Sequence, residues 1–392
     1  MKKLWSVLLC VAMISVLLVG CGKENKEATT AQEATAEGLT KENIKIGFIH
    51  IKDASDMGYT YNHDLGTQKL MEELGLNEDQ IINKYNVPDG AECDTALREL
   101  VDAGCNVIFA TSFGFEDYVI EVAKEYPDVQ FCHATGYQAA TSGLDNVHNY
   151  YALIYQARYT SGIAAGLKTE TNKIGWVGAF SYAEDISGFT AFYLGAKSVN
   201  PDVTMEVKYS NTWADPKIEG EVAQSLIDSG CDVISQNTDS TAPATTAEKN
   251  GVWHIGYNTD MKEVAPEASI VAARVDWSVY LVETVEAVLA GEKLPVDWAK
   301  GYSADGSTDA VYLSPLNEAI AAEGTQEAID EAIAGLRSGE LQVFSGPLKG
   351  VGVDFDGNEI TIDLKEGEYF IEQETVSAPS WAYVVEGVTV SE

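Results

Sequence analysis

Residues 100–112 read LVDAGCNVIFATS, and residues 226–238 read LIDSGCDVISQNT. Both stretches have the same construction. An amphipathic helix ends at a Gly-Cys turn, a short apolar run follows, and polar residues close it. Glycine is the residue that stops a helix in the left-handed conformation. An apolar run this short has the length of a strand buried on both faces. The polar residues that follow therefore sit at the strand's carboxyl end.

Four further matches lie in the same order around this pair. Lys45-Ile46-Gly47-Phe48-Ile49 matches Lys173-Ile174-Gly175-Trp176-Val177, and Gly58-Tyr59-Thr60 matches Gly188-Phe189-Thr190. Leu65-Gly66 matches Leu194-Gly195, and Lys84-Tyr85 matches Lys208-Tyr209, with offsets held between 124 and 130. Such order at near-constant spacing predicts two copies of one fold. In the first copy a strand at 44–51 precedes helices over about 61–74 and 90–103. Strands alternating with helices give a parallel sheet with right-handed crossovers. Binding residues then gather after the strand ends, and two such halves enclose a cleft. The expected fold class is α/β, with two Rossmann-like lobes around a ligand cleft.

Beyond residue 270 the pattern predicts a strand over 268–276, a helix over 278–290, a helix over 315–337 and a hairpin within 351–362. Asp354-Phe355-Asp356-Gly357-Asn358 reads as the hairpin turn. It lacks the Glu that would complete a calcium loop. The first lobe is expected to hold residues 41–150 and about 277–310. The second is expected to hold 151–276 and about 311–392, with hinge segments crossing between them.

The chain of 392 residues carries 25 Lys+Arg against 61 Asp+Glu, a net charge of −36, which argues against a nucleic-acid partner. Its 45% hydrophobic content is too high for a disordered chain. Residues 1–20 have a basic start, Lys2-Lys3, and an apolar run to Val19, the pattern of an export signal. Leu18-Val19-Gly20-Cys21 resembles the bacterial lipobox, so Cys21 is the expected lipidation site and first mature residue. Residues 22–40 contain one Leu and no aromatic residue, and read as a tether. The expected location is the outer face of the cell membrane, lipid-anchored. Cys93, Cys105, Cys132 and Cys231 form no C-x-x-C pair, and Cys105 and Cys231 read as buried small hydrophobes. The histidines are too scattered for a zinc site. No nucleophile elbow, phosphate loop or dinucleotide fingerprint is present, so neither cofactor nor catalytic residue is assigned. His63 has no triad partner and reads as a helix-surface or hydrogen-bonded residue.

The residues after the strand ends are rich in aromatic rings and carboxamides. They are 55–62, with Asp56 and Tyr59; 111–115, with Phe113; 182–189, with Phe189; 211–215, with Trp213; 236–240, with Asn237 and Asp239; and Asp276-Trp277. Rings stack on a flat guest while Asn or Asp reads its polar edge, which suits a planar heterocycle such as a nucleobase. A sugar or signalling molecule in the same fold stays open, as does a surface antigen or sensory lipoprotein without transport.

The segment 56–66, Asp-Met-Gly-Tyr-Thr-Tyr-Asn-His-Asp-Leu-Gly, resembles the G-W-[TS]-Y-x-H-D-x-G signature of the basic membrane protein (BMP) family of ABC-transporter solute-binding lipoproteins. Residues 124–131 (KEYPDVQF), 213–216 (WADP), 236–240 (QNTDS) and 343–348 (VFSGPL) resemble four further family motifs. The resemblance implies a type I periplasmic-binding fold, a purine base or nucleoside as ligand, and an ABC permease and ATPase as partners. Carried over, Tyr59 and Trp213 would sandwich the base and Asn237 would touch its edge. Two departures matter. Tyr59 replaces the family's Trp. Cys132-His133-Ala134-Thr135-Gly136 lacks the Asp with which nucleoside-binding members hold ribose, which favours a free base.

Overall fold

A computed structural model of the chain describes residues 38–353, 357–373 and 376–391. The export signal, Cys21, nearly all of the tether and residues 354–356 of the hairpin turn lie outside the described residues.

The first sheet is built on β1 (Ile46–Ile49), β2 (Ile81–Lys84), β3 (Val107–Ala110), β4 (Gln130–Ala134) and β5 (Val147–Ala152), in the spatial order 2-1-3-4-5 and all parallel. The second is built on β6 (Lys173–Gly178), β7 (Thr204–Tyr209), β8 (Val233–Gln236), β9 (Trp253–Tyr257) and β10 (Ser269–Val275), in the matching order 7-6-8-9-10. Ile46 stands opposite Val107, and Ile174 opposite Val233. The two stretches that reveal the duplication thus pair with equivalent strands in equivalent register. All four residues of β1, β3 and β8 are buried, as strands covered on both faces require.

Helices α1 (Tyr59–Leu74), α2 (Ala91–Asp102), α3 (Glu116–Ala123) and the single turn α4 (Ala139–Ser142) connect the first sheet. Then the halves exchange a helix. α5 (Ile154–Lys168) leaves β5 of the first sheet but packs on α6 (Ala183–Val199) of the second. After α7 (Pro216–Asp228) and α8 (Ala242–Asn250), α9 (Ser278–Ala290) leaves β10 and packs back on α1. The repeated Leu-Gly pair explains both contacts. A Cβ on Gly66 would lie 2.8 Å from the Trp277 Cβ, and one on Gly195 would lie 1.9 Å from the Tyr159 carbonyl oxygen. Both glycines let the exchanged helix approach backbone to backbone.

The chain then adds β11 (Asp297–Lys300) beside β5 and β12 (Val311–Leu313) antiparallel to β10. After α10 (Thr325–Ser338), β13 (Leu348–Val353), β14 (Glu359–Leu364) and β15 (Tyr383–Val385) form a small antiparallel sheet, and β16 (Val388–Ser391) joins the edge at β7. The hairpin expected within 351–362 is the β13–β14 pair. The helix expected over 315–337 begins only at Thr325. The Ser314 and Asn317 amides donate to the Ala272 and Ile270 carbonyls, and the Asn317 side chain donates to Pro266 and Ser269. This segment is held extended along the edge of β10, so its apolar spacing does not become a helix turn.

The expectation that His63 lies on a helix surface or in a hydrogen bond is also corrected, since it is buried and neither ring nitrogen has a hydrogen-bond partner among the described residues. His63 is fully buried, stacked on Trp277 at 4.2 Å and edge-on to Tyr59 at 4.6 Å. The covering helix α9 closes over the face of α1 that carries it. Burial drives its pKa well below the usual histidine value, so the ring is neutral. Cys93, Cys105, Cys132 and Cys231 are all buried free thiols. Among the described residues no helix is long and apolar enough to cross a membrane.

Candidate functional site

The carboxyl ends of both sheets face one cavity. It is lined by Ile51, Tyr59, Thr111, Ser112, Phe113 and Thr135 from the first half, and by Glu184, Trp213, Asn237, Asp239 and Tyr257 from the second.

Each wall is fixed by local chemistry. Tyr59 opens α1, whose free N–H groups need acceptors. Asp56 supplies them, accepting from the Gly58, Thr60 and Tyr61 amides at 2.9–3.0 Å. Trp213 rides the loop between β7 and α7. Asp215 caps α7 by accepting from Lys217 and Ile218, and Pro216 occupies its first turn. The indole packs against Phe180, with centroids 5.0 Å apart, and its own carbonyl accepts from the Asp239 amide at 2.9 Å.

The 236–240 loop divides its work. Gln236 donates to the Thr238 and Ser240 carbonyls and accepts from His254, and Ser240 donates to Glu219 on α7. These bonds hold the loop, so Asn237 and Asp239 are left to face the cavity. Neither caps α8, whose N-cap is Thr241. Asn237 is oriented by Arg158 of α5. That guanidinium is buried and donates to the Gln236 carbonyl at 2.9 Å and to Asn237 Oδ1 at 2.6 Å.

Residues of the two halves touch across the cavity at several places, three of them at its walls. Tyr151 of β5 donates to Glu184 of α6 at 2.8 Å. Phe113 meets Tyr182 at a centroid distance of 5.7 Å. Gly58 lies so close to the Asp239 backbone that a Cβ there would be 2.1 Å from its carbonyl oxygen. These contacts bridge the two halves at the rim of the cavity. Its carboxyls are crowded. Burial first, then the charges of Asp56, Glu219 and Glu184, hold the Asp239 carboxyl well above the ordinary carboxylate range. Burial also raises Glu184, against the lowering effects of Tyr151 and Arg158.

Of the residues expected from sequence, the structure brings Tyr59, Phe113, Trp213, Asn237 and Asp239 to the cavity. Asp56 stands just beneath, with its oxygens turned to the α1 backbone. Phe189 does not reach it. Phe189 is fully buried on the inner face of α6, beside Trp176, because five residues of helix carry it to the opposite side from Glu184. Asp276 is also elsewhere. It pairs with Lys69, accepts from Ser278 at the start of α9, and lines a separate hollow with Arg274 and Tyr312. It lies where the chain has already left the second sheet. Arg158, Tyr257, Thr135 and Ile51 were missed. A lone arginine among small and apolar neighbours in residues 154–166 was the one available signal for Arg158.

Two halves of equal strand order that exchange helices and close their loops over one cavity define a type I periplasmic-binding protein, the fold of solute receptors. A solute-binding protein of an ABC transporter system from Aeropyrum pernix K1 shares it, with a TM-score of 0.62 at 18% identity over 80% of this chain and 95% of that one. Another from Conexibacter woesei gives 0.61 at 19% identity, over 76% of this chain and 98% of that one.

The chain belongs to the Bmp family of PnrA-like ABC transporter substrate-binding proteins, whose model matches residues 43–341. It is 36% identical to a purine-binding protein of Brucella abortus over 84% of this chain and 89% of that one. It is 31% identical to a Haloferax volcanii protein, whose name assigns it provisionally to glucose binding, over 90% of this chain and 89% of that one. A nucleoside-binding protein of Lactococcus lactis is 24% identical over 80% of this chain and 89% of that one. Membership makes the chain a substrate-binding protein of an ABC transporter, with a small-molecule ligand and a permease and ATPase as its partners.

Proposed function

We propose that the chain is a lipid-anchored receptor for a purine base, carried on Cys21 and delivering its ligand to an ABC importer without chemical change. The observation that carries the reading is the cavity lining. Tyr59, Phe113, Trp213 and Tyr257 offer aromatic surface, and the polar atoms of Asn237, Asp239 and Glu184 are grouped on the second half. Rings of this kind hold a flat guest, and grouped polar atoms read its edge. The purine-binding and nucleoside-binding relatives support the same reading. The stretch Cys132-His133-Ala134-Thr135-Gly136, which lacks the Asp that the family resemblance assigns to ribose, supports a free base. The glucose-binding name of the Haloferax relative motivates the rival, a sugar stacked on one or two of these rings.

Calorimetric titration with adenine, guanine, hypoxanthine, inosine, ribose and glucose separates the two. A base is expected to bind with a Kd of about 1 μM or tighter, on the order of −8 kcal/mol. Saturation by glucose or ribose with silence from every base would overturn the purine reading.

The crowded carboxyls give a pH dependence of known sign. The closed form holds a proton on Asp239 more tightly than an open cleft does, because closure buries the group and brings Asp56 against it. Closure is therefore favoured at low pH and loses that advantage as the pH rises toward the raised pKa. Ligand affinity is expected to fall about tenfold or more from pH 5 to 8, and Asp239→Asn is expected to flatten that slope. An equal slope in the variant would remove Asp239 from the effect.

A further inference from the structure

We infer that Arg158 sets what the cleft accepts by fixing which end of the Asn237 amide faces the ligand. An arginine side chain has donors only and stays protonated. Its contact at 2.6 Å therefore has to be with the Asn237 oxygen. The amide cannot flip without setting N–H against N–H. The Asn237 amino group is then left buried without a hydrogen-bond partner, on a residue that lines the cavity. A buried donor of this kind is costly until a ligand satisfies it. Asn237 consequently presents a donor and selects an acceptor, such as a ring nitrogen or carbonyl oxygen, on the edge of the bound molecule.

Arg158 is itself tightly held. It donates to the Gln236 carbonyl, and its Cζ lies 3.6 Å from the Tyr257 ring centroid and 4.8 Å from that of Trp176. Tyr257 is also a cavity wall, so one buried cation orders an edge contact and a ring together. Asp239 and Glu184 stand on the same side of the cleft, offering carboxyl groups to N–H donors of the ligand. The preferred guest therefore bears acceptor and donor groups close together on one planar edge. Arg158 touches no ligand in this scheme and acts as a positioning residue.

The inference rests on the purine reading, and the test keeps the two apart. Adenine, guanine and hypoxanthine are titrated into the full chain beside their 3-deaza and 7-deaza analogues, which each replace one ring acceptor by C–H. The adenine and hypoxanthine pair also exchanges a donor for an acceptor at position 6. Wild type is expected to lose about 10–100-fold in affinity when the one acceptor facing Asn237 is removed. Asn237→Asp keeps the bond from Arg158 but exchanges the amino group for oxygen. It should bind the parent base that much more weakly and no longer distinguish it from the penalised analogue. Arg158→Lys retains a buried cation but not the two-pronged grip, and the same ratio should collapse toward one. This ratio is a readout that simple loss of stability does not move.

Parent-base affinity in Asn237→Asp equal to or tighter than wild type would overturn the inference. So would an undiminished ratio in Arg158→Lys, or a wild type that penalises none of the acceptor exchanges. Wild type binding none of the bases would remove the purine reading, and this inference with it.

Discussion

Gly58→Ala is expected to weaken ligand binding by about 10–100-fold while leaving the melting temperature of the ligand-free protein almost unchanged. The added Cβ would sit 2.1 Å from the Asp239 carbonyl oxygen and 2.8 Å from its carbonyl carbon and Cα. These are backbone atoms in a loop held by Gln236, Ser240 and Glu219, so no rotamer change relieves the contact. Overpacking of a well-packed contact costs about 1–3 kcal/mol. The contact joins the two halves, so the cost falls on the closed form and vanishes when the cleft opens. Apparent affinity drops in proportion to the population of the closed form. The expected signature is therefore a smaller ligand-induced rise in melting temperature and a faster ligand off-rate. A variant that binds like wild type would show that this close approach plays no part in holding the ligand.

The same glycine shows how the fold could be read. Gly58-Tyr59-Thr60 and Gly188-Phe189-Thr190 match in sequence, and so do the strands before them, because duplication preserves the positions that pack. Strand order, helix succession and the cleft follow from that repeat. What each copy does with its matched residues has diverged. Gly58 meets Asp239 across the cleft, whereas Gly188 sits inside α6 with ordinary contacts to Trp176. Phe189 was assigned to the cleft as part of the 182–189 stretch that follows a strand end. But Tyr59 is the first residue of its helix, and Phe189 lies well inside its own.

Residues after strand ends were legible because a parallel sheet always delivers them to one rim. Arg158 was not. It lies in the helix that has crossed between halves, and it reaches Asn237, 79 residues further on, only through that exchange. His63 failed for the same reason, since the helix that buries it comes from more than 200 residues away in the chain. The C-terminal segment beyond residue 341 lies outside the family match and offered only the 343–348 motif and the hairpin signal.

Trp213→Ala is expected to lower affinity by about 30–1000-fold, the larger of the two effects. A half-buried indole at the centre of a small site is the kind of group whose truncation costs about 2–4 kcal/mol. The loss has two sources. The stacking surface disappears, and the packing that Trp213 makes with Phe180 and Tyr182, at centroid distances of 5.0 and 6.3 Å, goes with it. Tyr182 in turn meets Phe113 of the other half, so the aromatic wall on the second half also steadies the closed mouth. The loop itself should survive. Asp215 caps α7, Ser210 donates to the Thr212 carbonyl, and the residue-213 carbonyl that holds the Asp239 amide is backbone. Trp213→Phe keeps a smaller ring and is expected to lose only about 3–10-fold, in line with its lost area. A graded loss from Trp to Phe to Ala, with unchanged unfolding of the free protein, is what a stacking plate predicts. Equal affinity in all three would place the ligand against the other walls and leave Trp213 as packing for Phe180 alone.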